Sequence, residues 1–328
     1  MSIIGDAGSW LRDLGADTMD RLPDRNWVRW PVLFVLLIMV AWYPVGMVMV
    51  HNIDDNTDFA TPVGELDAGR SRTVDTMAAL VDREINHNRW TPNDPFFMPS
   101  WPLDNMPNFQ LGILDATSRL GVELADNLGR LRGSSGIDED LKEAAGLLKF
   151  TGTKWIWDPS VSIWPSTPSE QQYEQARKRL LKYNDRLAQG QAVFERRADN
   201  LQVTMERIAS DLGGDSQALD NHVRDFSGTW FDGLSDDQFY RVKGKSYAYY
   251  LLLRDLGHDF EPIISSRQLT SAWQELLVVM QELATLDPLI IRNGEPDAVM
   301  SPNHLAAQGF YLLRARTKLK EISNILLK

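Results

Sequence analysis

Residues 31–50 read PVLFVLLIMVAWYPVGMVMV, twenty positions without a charge. At about 1.5 Å rise per residue, a helix of this length matches the roughly 30 Å hydrocarbon core of a bilayer. Thirty residues precede the run, and Val48-Met49-Val50-His51-Asn52 follows it without a small-x-small cleavage site. A cleaved signal peptide is shorter and starts nearer the N-terminus, so an uncleaved anchor is the better reading. A buried core helix is the other rival. Arg25, Trp27, Arg29 and Trp30 beside the run look instead like an interfacial flank. Pro31 is expected at the first turn, where a missing N–H is harmless, and Pro44 is expected to kink the span.

Arg21, Arg25 and Arg29 lie just before the run. The next basic residue is Arg70, after Asp54, Asp55, Asp58, Glu65 and Asp67. The positive-inside rule then puts the N-terminus in the cytoplasm and residues 52–328 across the membrane. This divides the chain into a tail (1–26), an anchor (27–51), an acidic linker (52–68) and a helical domain (69–328). Gly133-Ser134-Ser135-Gly136 marks a sub-boundary within that domain.

The chain has no cysteine, which removes disulfides, thiol catalysis and Cys-ligated metal. Net charge is −11, and residues beyond the anchor carry 30 basic against 40 acidic groups. Such a surface repels nucleic acid and anionic lipid heads.

Beyond the anchor the periodicity is helical, giving an all-α reading. Apolar positions recur at three- and four-residue steps in 65–88, 114–131 and 137–150. The longest seam runs through Tyr173, Ala176, Leu180, Tyr183, Leu187, Gly190, Phe194, Ala198, Leu201, Met205, Ile208 and Leu212. It predicts one very long helix of about 65 Å, ended by Gly213-Gly214. Such a helix packs within its own bundle or pairs between subunits as a coiled-coil arm. Three further helices are expected from 235, from 269 and from Ser301-Pro302.

Several motifs fail on inspection. Asp54, Asn56, Asp58 and Glu65 fit four positions of a calcium loop, but Phe59 stands where its turn needs glycine. Glu84-x-x-His87 has no second copy for a di-iron bundle and reads as a solvated helix end. Gly244-Lys245-Ser246 lacks the first glycine of a phosphate loop. No catalytic residue, metal ligand or cofactor site emerges.

One constellation remains. Asp94-Pro95 is followed by Trp101-Pro102, and Asp158-Pro159 by Trp164-Pro165. Each pair lies between helices among further rings: Trp90 in the first loop, Trp155 and Trp157 in the second. A hairpin turning at Asp158-Pro159-Ser160 fits the alternation on either side. An old duplication of a helix–loop–helix unit would explain the echo, as would chance. Aromatic faces beside Asp94 and Asp158 suit glycan, with the two acids as an acid/base pair if the loops meet. The plainer reading is that Trp90, Trp101, Trp155, Trp157 and Trp164 plug the ends of a bundle.

Trp90-Thr91-Pro92-Asn93-Asp94-Pro95 through Trp101-Pro102, and Phe239-Tyr240 through Asp259-Phe260, resemble an uncharacterised family of proteobacterial single-pass inner-membrane proteins, known as a domain of unknown function. The resemblance implies a Gram-negative host and a periplasmic domain. It carries over no activity, cofactor or site residue. The resulting expectation is a non-enzymatic inner-membrane protein that scaffolds or binds another envelope component, as an oligomer or with a protein partner. A glycan-binding or glycan-cleaving protein is the alternative.

Overall fold

Two glycines set the geometry of this helical protein. In the computed structural model, which describes residues 25–60, 69–129, 136–157, 163–228, 233–295 and 302–328, Gly112 and Gly244 lie at the crossing of the two helices that share the largest contact. A Cβ on Gly112 would sit 2.1 Å from the Arg241 carbonyl oxygen, and one on Gly244 2.0 Å from that of Phe109. Backbone therefore meets backbone, as only glycine permits.

The helices are α1 (Arg25–Val50), α2 (Arg72–Asp82), α3 (Asn105–Glu123), α4 (Glu139–Leu148), α5 (Ser169–Ala188), α6 (Ala198–Phe226), α7 (Ser235–Asp259), α8 (Glu261–Ser266), α9 (Thr270–Ala284) and α10 (His304–Leu326). Short π-helical turns, Arg83–His87 and Leu124–Leu128, extend α2 and α3. Among the described residues there is no strand, only an isolated bridge between Asn293 and Asn303. The all-α expectation holds. The chain divides into a unit up to Met49 and a second unit, Val50–Lys328.

In the first unit, α1 carries a stretch, Arg29–Val50, long and apolar enough to cross a membrane, and most of its large apolar side chains are exposed. The helix begins at Arg25, so Pro31 falls inside it rather than at its first turn.

In the second unit α7 is central. It packs against α3, α2 and α9, while α5 lies on α2 and α4, and α6 pairs with α10. Tyr247, Ala248, Leu251 and Leu253 of α7 are wholly buried, so the helix is enclosed.

Buried polar groups fasten the start of α2 to the end of α7. The Asp259 carboxylate accepts from the Ser71 hydroxyl (2.6 Å), the Thr73 hydroxyl (2.7 Å) and the backbone N–H groups of Arg72 and Thr73 (both 3.0 Å). The Asn184 side chain exchanges two hydrogen bonds with the Ser71 backbone, at 2.8 and 2.9 Å. An anion at a helix N-terminus satisfies otherwise orphaned donors and the helix dipole together.

The very long helix is two helices. Residues 189–197 interrupt it between α5 and α6. Gly190 adopts φ +70°, and the Gln191 N–H reaches the Arg186 carbonyl (2.8 Å) while the Gly190 N–H reaches that of Leu187 (3.1 Å). This is a Schellman stop. The seam residues themselves are buried as expected, from Tyr173 to Leu187 and from Leu201 to Leu212. Gly213-Gly214 does not end the second helix, which runs on to Phe226. Gly213 instead makes room for Arg316 of α10, whose guanidinium would lie 2.9 Å from a Cβ there. At α10 the N-cap is Asn303, accepting from the Ala306 N–H at 2.7 Å. The expected cap, Ser301, lies outside the described residues.

Gly112→Ala and Gly244→Ala should each destabilise the fold by about 2–3 kcal/mol, read by denaturant unfolding. Gly214→Ala, with nothing within 4 Å of its Cβ, should be neutral or slightly stabilising. Asp259→Ala, which strands the Ser71 and Thr73 donors, should cost about 3 kcal/mol.

Candidate functional site

The two Trp/Pro loops meet. Trp90 is buried, donates its indole N–H to the Gly152 carbonyl at 2.9 Å and stands edge-on to Tyr173 at 5.2 Å. Gly152 has no room for a Cβ, which would fall 2.4 Å from Leu111. Asn93 donates to the Lys154 carbonyl (2.9 Å) and to Glu170 (2.7 Å). Phe97 of the first loop meets Trp155 of the second, edge to face, at 5.5 Å. The buried Gln110 shapes the start of the first loop. Its carbonyl oxygen accepts from the Thr91 N–H and hydroxyl, and its amide donates to the Arg89 carbonyl at 2.9 Å.

The rings have different fates. Trp90 plugs the bundle, as the plainer reading expects, and Trp155 is half-buried. Trp101 is 59% exposed, Trp157 50% and Trp164 80%, with Phe96 at 69% beside them. Asp94 is nearly buried. It accepts from the Ser100 hydroxyl and pairs with Arg89 at 3.3 Å, closing its own loop. Asp158 and the expected turn through Ser160 lie outside the described residues. On the flanks, the Ser166 N–H reaches the Ile156 carbonyl (2.7 Å) and the Trp157 indole reaches that of Ile163 (3.1 Å).

The acidic stretch after α1 packs on the helical domain as a strap. Asp55 pairs with the buried amine of Lys243 (2.8 Å) and Asp54 with the buried Arg83 (3.4 Å). The Tyr247 hydroxyl donates to the Asn56 carbonyl (2.8 Å), Arg254 to that of Thr57 (3.2 Å), and the Arg83 guanidinium lies over the Phe59 ring. Protein cations thus face two acids of the calcium-like pattern. Its twelfth position, Glu65, lies outside the described residues.

The other motifs serve packing. Gly244, Lys245 and Ser246 are buried within α7, with the Lys245 amine on Asp215 at 2.9 Å. Glu84 is buried against Arg83 (2.7 Å) rather than solvated, whereas His87 is exposed. Asp104, Asp236 and Asp237 bring carboxylates within 4.8 Å of one another where the N-termini of α3 and α7 adjoin. The two helix dipoles favour acids there.

A feature the sequence did not announce is an open cleft of about 960 Å³ among α3, α4, α5, α6 and α7, closed at one end by Phe150–Thr153 of the second loop. Three arginine–carboxylate pairs line it: Arg241 with Asp115 (2.8 Å), Arg119 with Asp211 (3.4 Å) and Arg207 with Glu123 (2.6 Å). Tyr249 donates to Asp211 from below at 2.8 Å. These residues fall on helix faces at ordinary charged positions, and only the tertiary gap between α3 and α6 makes them neighbours. Burial raises the Glu123 carboxyl above the ordinary 4.5, against the Asn127 hydrogen bond and the Arg207 charge. Burial likewise raises Asp215, against Lys245.

The fold and these surfaces define an all-α protein: a candidate membrane helix followed by a strapped helical bundle with an aromatic rim and a charged cleft. The model for a family described as an uncharacterized protein conserved in bacteria (DUF2333) matches residues 30–228, more than half the chain, and the chain belongs to that family. No curated protein and no solved structure matches it.

A raised carboxyl stabilises the fold below its unfolded value, and that contribution fades as the pH climbs through the folded value. Glu123→Gln should therefore flatten the fall in unfolding free energy from pH 4.5 upward. Urea titrations of both proteins across that range measure the difference.

Proposed function

We propose that this chain is a non-enzymatic, membrane-anchored helical protein of the bacterial periplasm that binds another component of the cell envelope. In this reading α1 crosses the inner membrane with its N-terminus in the cytoplasm. The arginines before the apolar run and the acids after it support that direction. Residues 52–59 are taken up by the strap on the helical domain.

The observation that carries the binding reading is the charged cleft. Its volume lies within the range of binding pockets, and its three ion pairs offer donors and acceptors of both signs. A polar segment of a partner protein suits it, since exchanged ion pairs give register and specificity. The non-enzymatic part rests on how buried ionisable groups are used. Asp259 caps α2, Glu84 and Arg83 hold each other, and Lys243 grips the strap.

The exposed Trp101, Trp157 and Trp164 rings favour a second reading, glycan binding, in which they stack on sugar faces. Asp94 has no free role in cleaving glycan there, being engaged by Ser100 and Arg89.

The absence of native cysteine makes topology directly measurable. Cysteine introduced at Lys178 should react with an impermeant maleimide in spheroplasts, and cysteine at Ser9 only after permeabilisation; the reverse pattern overturns the orientation. A photo-crosslinker placed in cells at Ser118 or Ser210, both on the cleft wall, should give a discrete protein adduct that a probe at Gln189 does not. Binding of the full chain to purified peptidoglycan, lost in Trp101→Ala and Trp157→Ala, would replace the protein partner with glycan.

A further inference from the structure

We propose that one end of the helical bundle docks into the bilayer interface, with the aromatic loops among lipid headgroups and upper acyl chains. This rests on the reading that α1 spans the membrane, and concerns what the folded domain does once it is there.

Hydrogen bonds and ion pairs gather several connections at that end. The α2–α3 and α4–α5 loops join through Trp90, Asn93 and Phe97. The α6–α7 and α9–α10 connections join where the Gly228 N–H reaches the Asn293 carbonyl at 2.9 Å. Lys243 ties Asp287, after α9, to Asp55 of the strap. The N-termini of α3 and α7 adjoin there through Asp104 and Asp236.

Exposed apolar side chains concentrate at the same end. Among the described residues from 51 onward, sixteen large apolar side chains are exposed, and eleven of them belong to these connections or adjoin them. Phe96, Phe97, Trp101, Trp157, Ile163 and Trp164 dominate the two loops, and Leu289, at 99% exposure, is the tip of another connection. Scattered exposed apolar side chains need no explanation, but eleven at one end of a bundle do.

The chain itself identifies the occupant. Asn52 is held at this end, its side chain donating to Asn88 (3.0 Å) and its N–H lying 3.3 Å from the Met106 sulfur, one residue on each side of the first loop. Val50 is the last residue of α1. Two residues span about 7 Å at full extension. The apolar run ends at Val50, so only this short length of chain joins it to the base of the aromatic loop. Tryptophan is the side chain most at home in that layer, with an apolar ring and a polar N–H.

Charge refines the lipid. Asp54, Asp55, Asp94, Asp104, Asp236, Asp237 and Asp287 stand at this end against Arg83, Arg89, Lys154, Lys243 and Arg292. An acidic rim gains nothing from anionic lipid, so docking is by ring insertion and works on zwitterionic lipid.

The test uses the full chain reconstituted at one copy per vesicle in zwitterionic lipid, with an environment-sensitive dye on a single introduced cysteine. Ile163→Cys and Trp164→Cys report on the rim, and Gln191→Cys on the opposite end of α5. Dyes at 163 and 164 should be quenched several-fold more by headgroup-proximal nitroxide lipid than the dye at 191, and several-fold less by aqueous iodide. Adding anionic lipid should not increase the quenching. Equal quenching at all three positions overturns the proposal. So does protection that appears only at several copies per vesicle, which assigns the rim to a second copy. If Lys178 and Ser9 label as expected while the rim dyes stay in water, the docking fails and the anchor reading stands.

Discussion

The close backbone approach of α3 and α7, made at Gly112 against Arg241 and at Gly244 against Phe109, is the constraint on which the rest of the second unit depends. Helix axes normally stay 8–10 Å apart because side chains stand between them. Here each helix presents bare backbone to the other, and the closeness is paid for by giving up side chains at two positions. The consequence reaches both ends of the pair. Drawing α3 onto α7 brings Asp104 beside Asp236 at one end, and it leaves α6 across a gap from α3 along the other face. The charged cleft is that gap.

The α3–α7 contact alone would not fix where α2 and the strap lie. Polar groups do that. Asp259 receives four donors from residues 71–73, and Asn184 reads both backbone atoms of Ser71. Lys243 and Arg83, both buried, collect Asp55 and Asp54. These pairs give the strap a register, and Ile53 and Phe59 pack on the core beside them. In a chain with no disulfide, such networks supply directional specificity that apolar burial lacks.

Helices and their buried faces were legible in the sequence because a 3–4 apolar step has one physical reading. Tyr173 to Leu187 and Leu201 to Leu212 are buried as that step requires. The break between them was not legible. Gly190 lay on the seam and looked like a small packing residue, whereas Gly213-Gly214 looked like a stop. Which glycine takes the left-handed conformation depends on partners outside the local window: Arg316 claims the space at Gly213. That the two Trp/Pro loops meet was only a condition of the glycan alternative, not something the sequence could derive. Nor could the cleft be derived, since Asp115, Arg119, Asp211 and Arg241 look like any solvated helix face until α3 and α6 are set side by side.

The tryptophans show why composition alone could not assign the site. Trp90 and Trp101 share a loop, yet one is buried and the other mostly exposed. Burial of Trp90 goes with a partner for its indole N–H and space for its ring. Trp90 finds the Gly152 carbonyl, and only a glycine there leaves room for its ring. A buried tryptophan needs such a partner. Trp157 satisfies its N–H within its own loop, on Ile163, and so leaves its ring available at the surface. A ring whose polar atom is already satisfied and whose face is exposed is suited to stacking or inserting against an apolar surface. Water is the poorest match for that arrangement, and a bilayer interface or the flat face of a sugar is a better one.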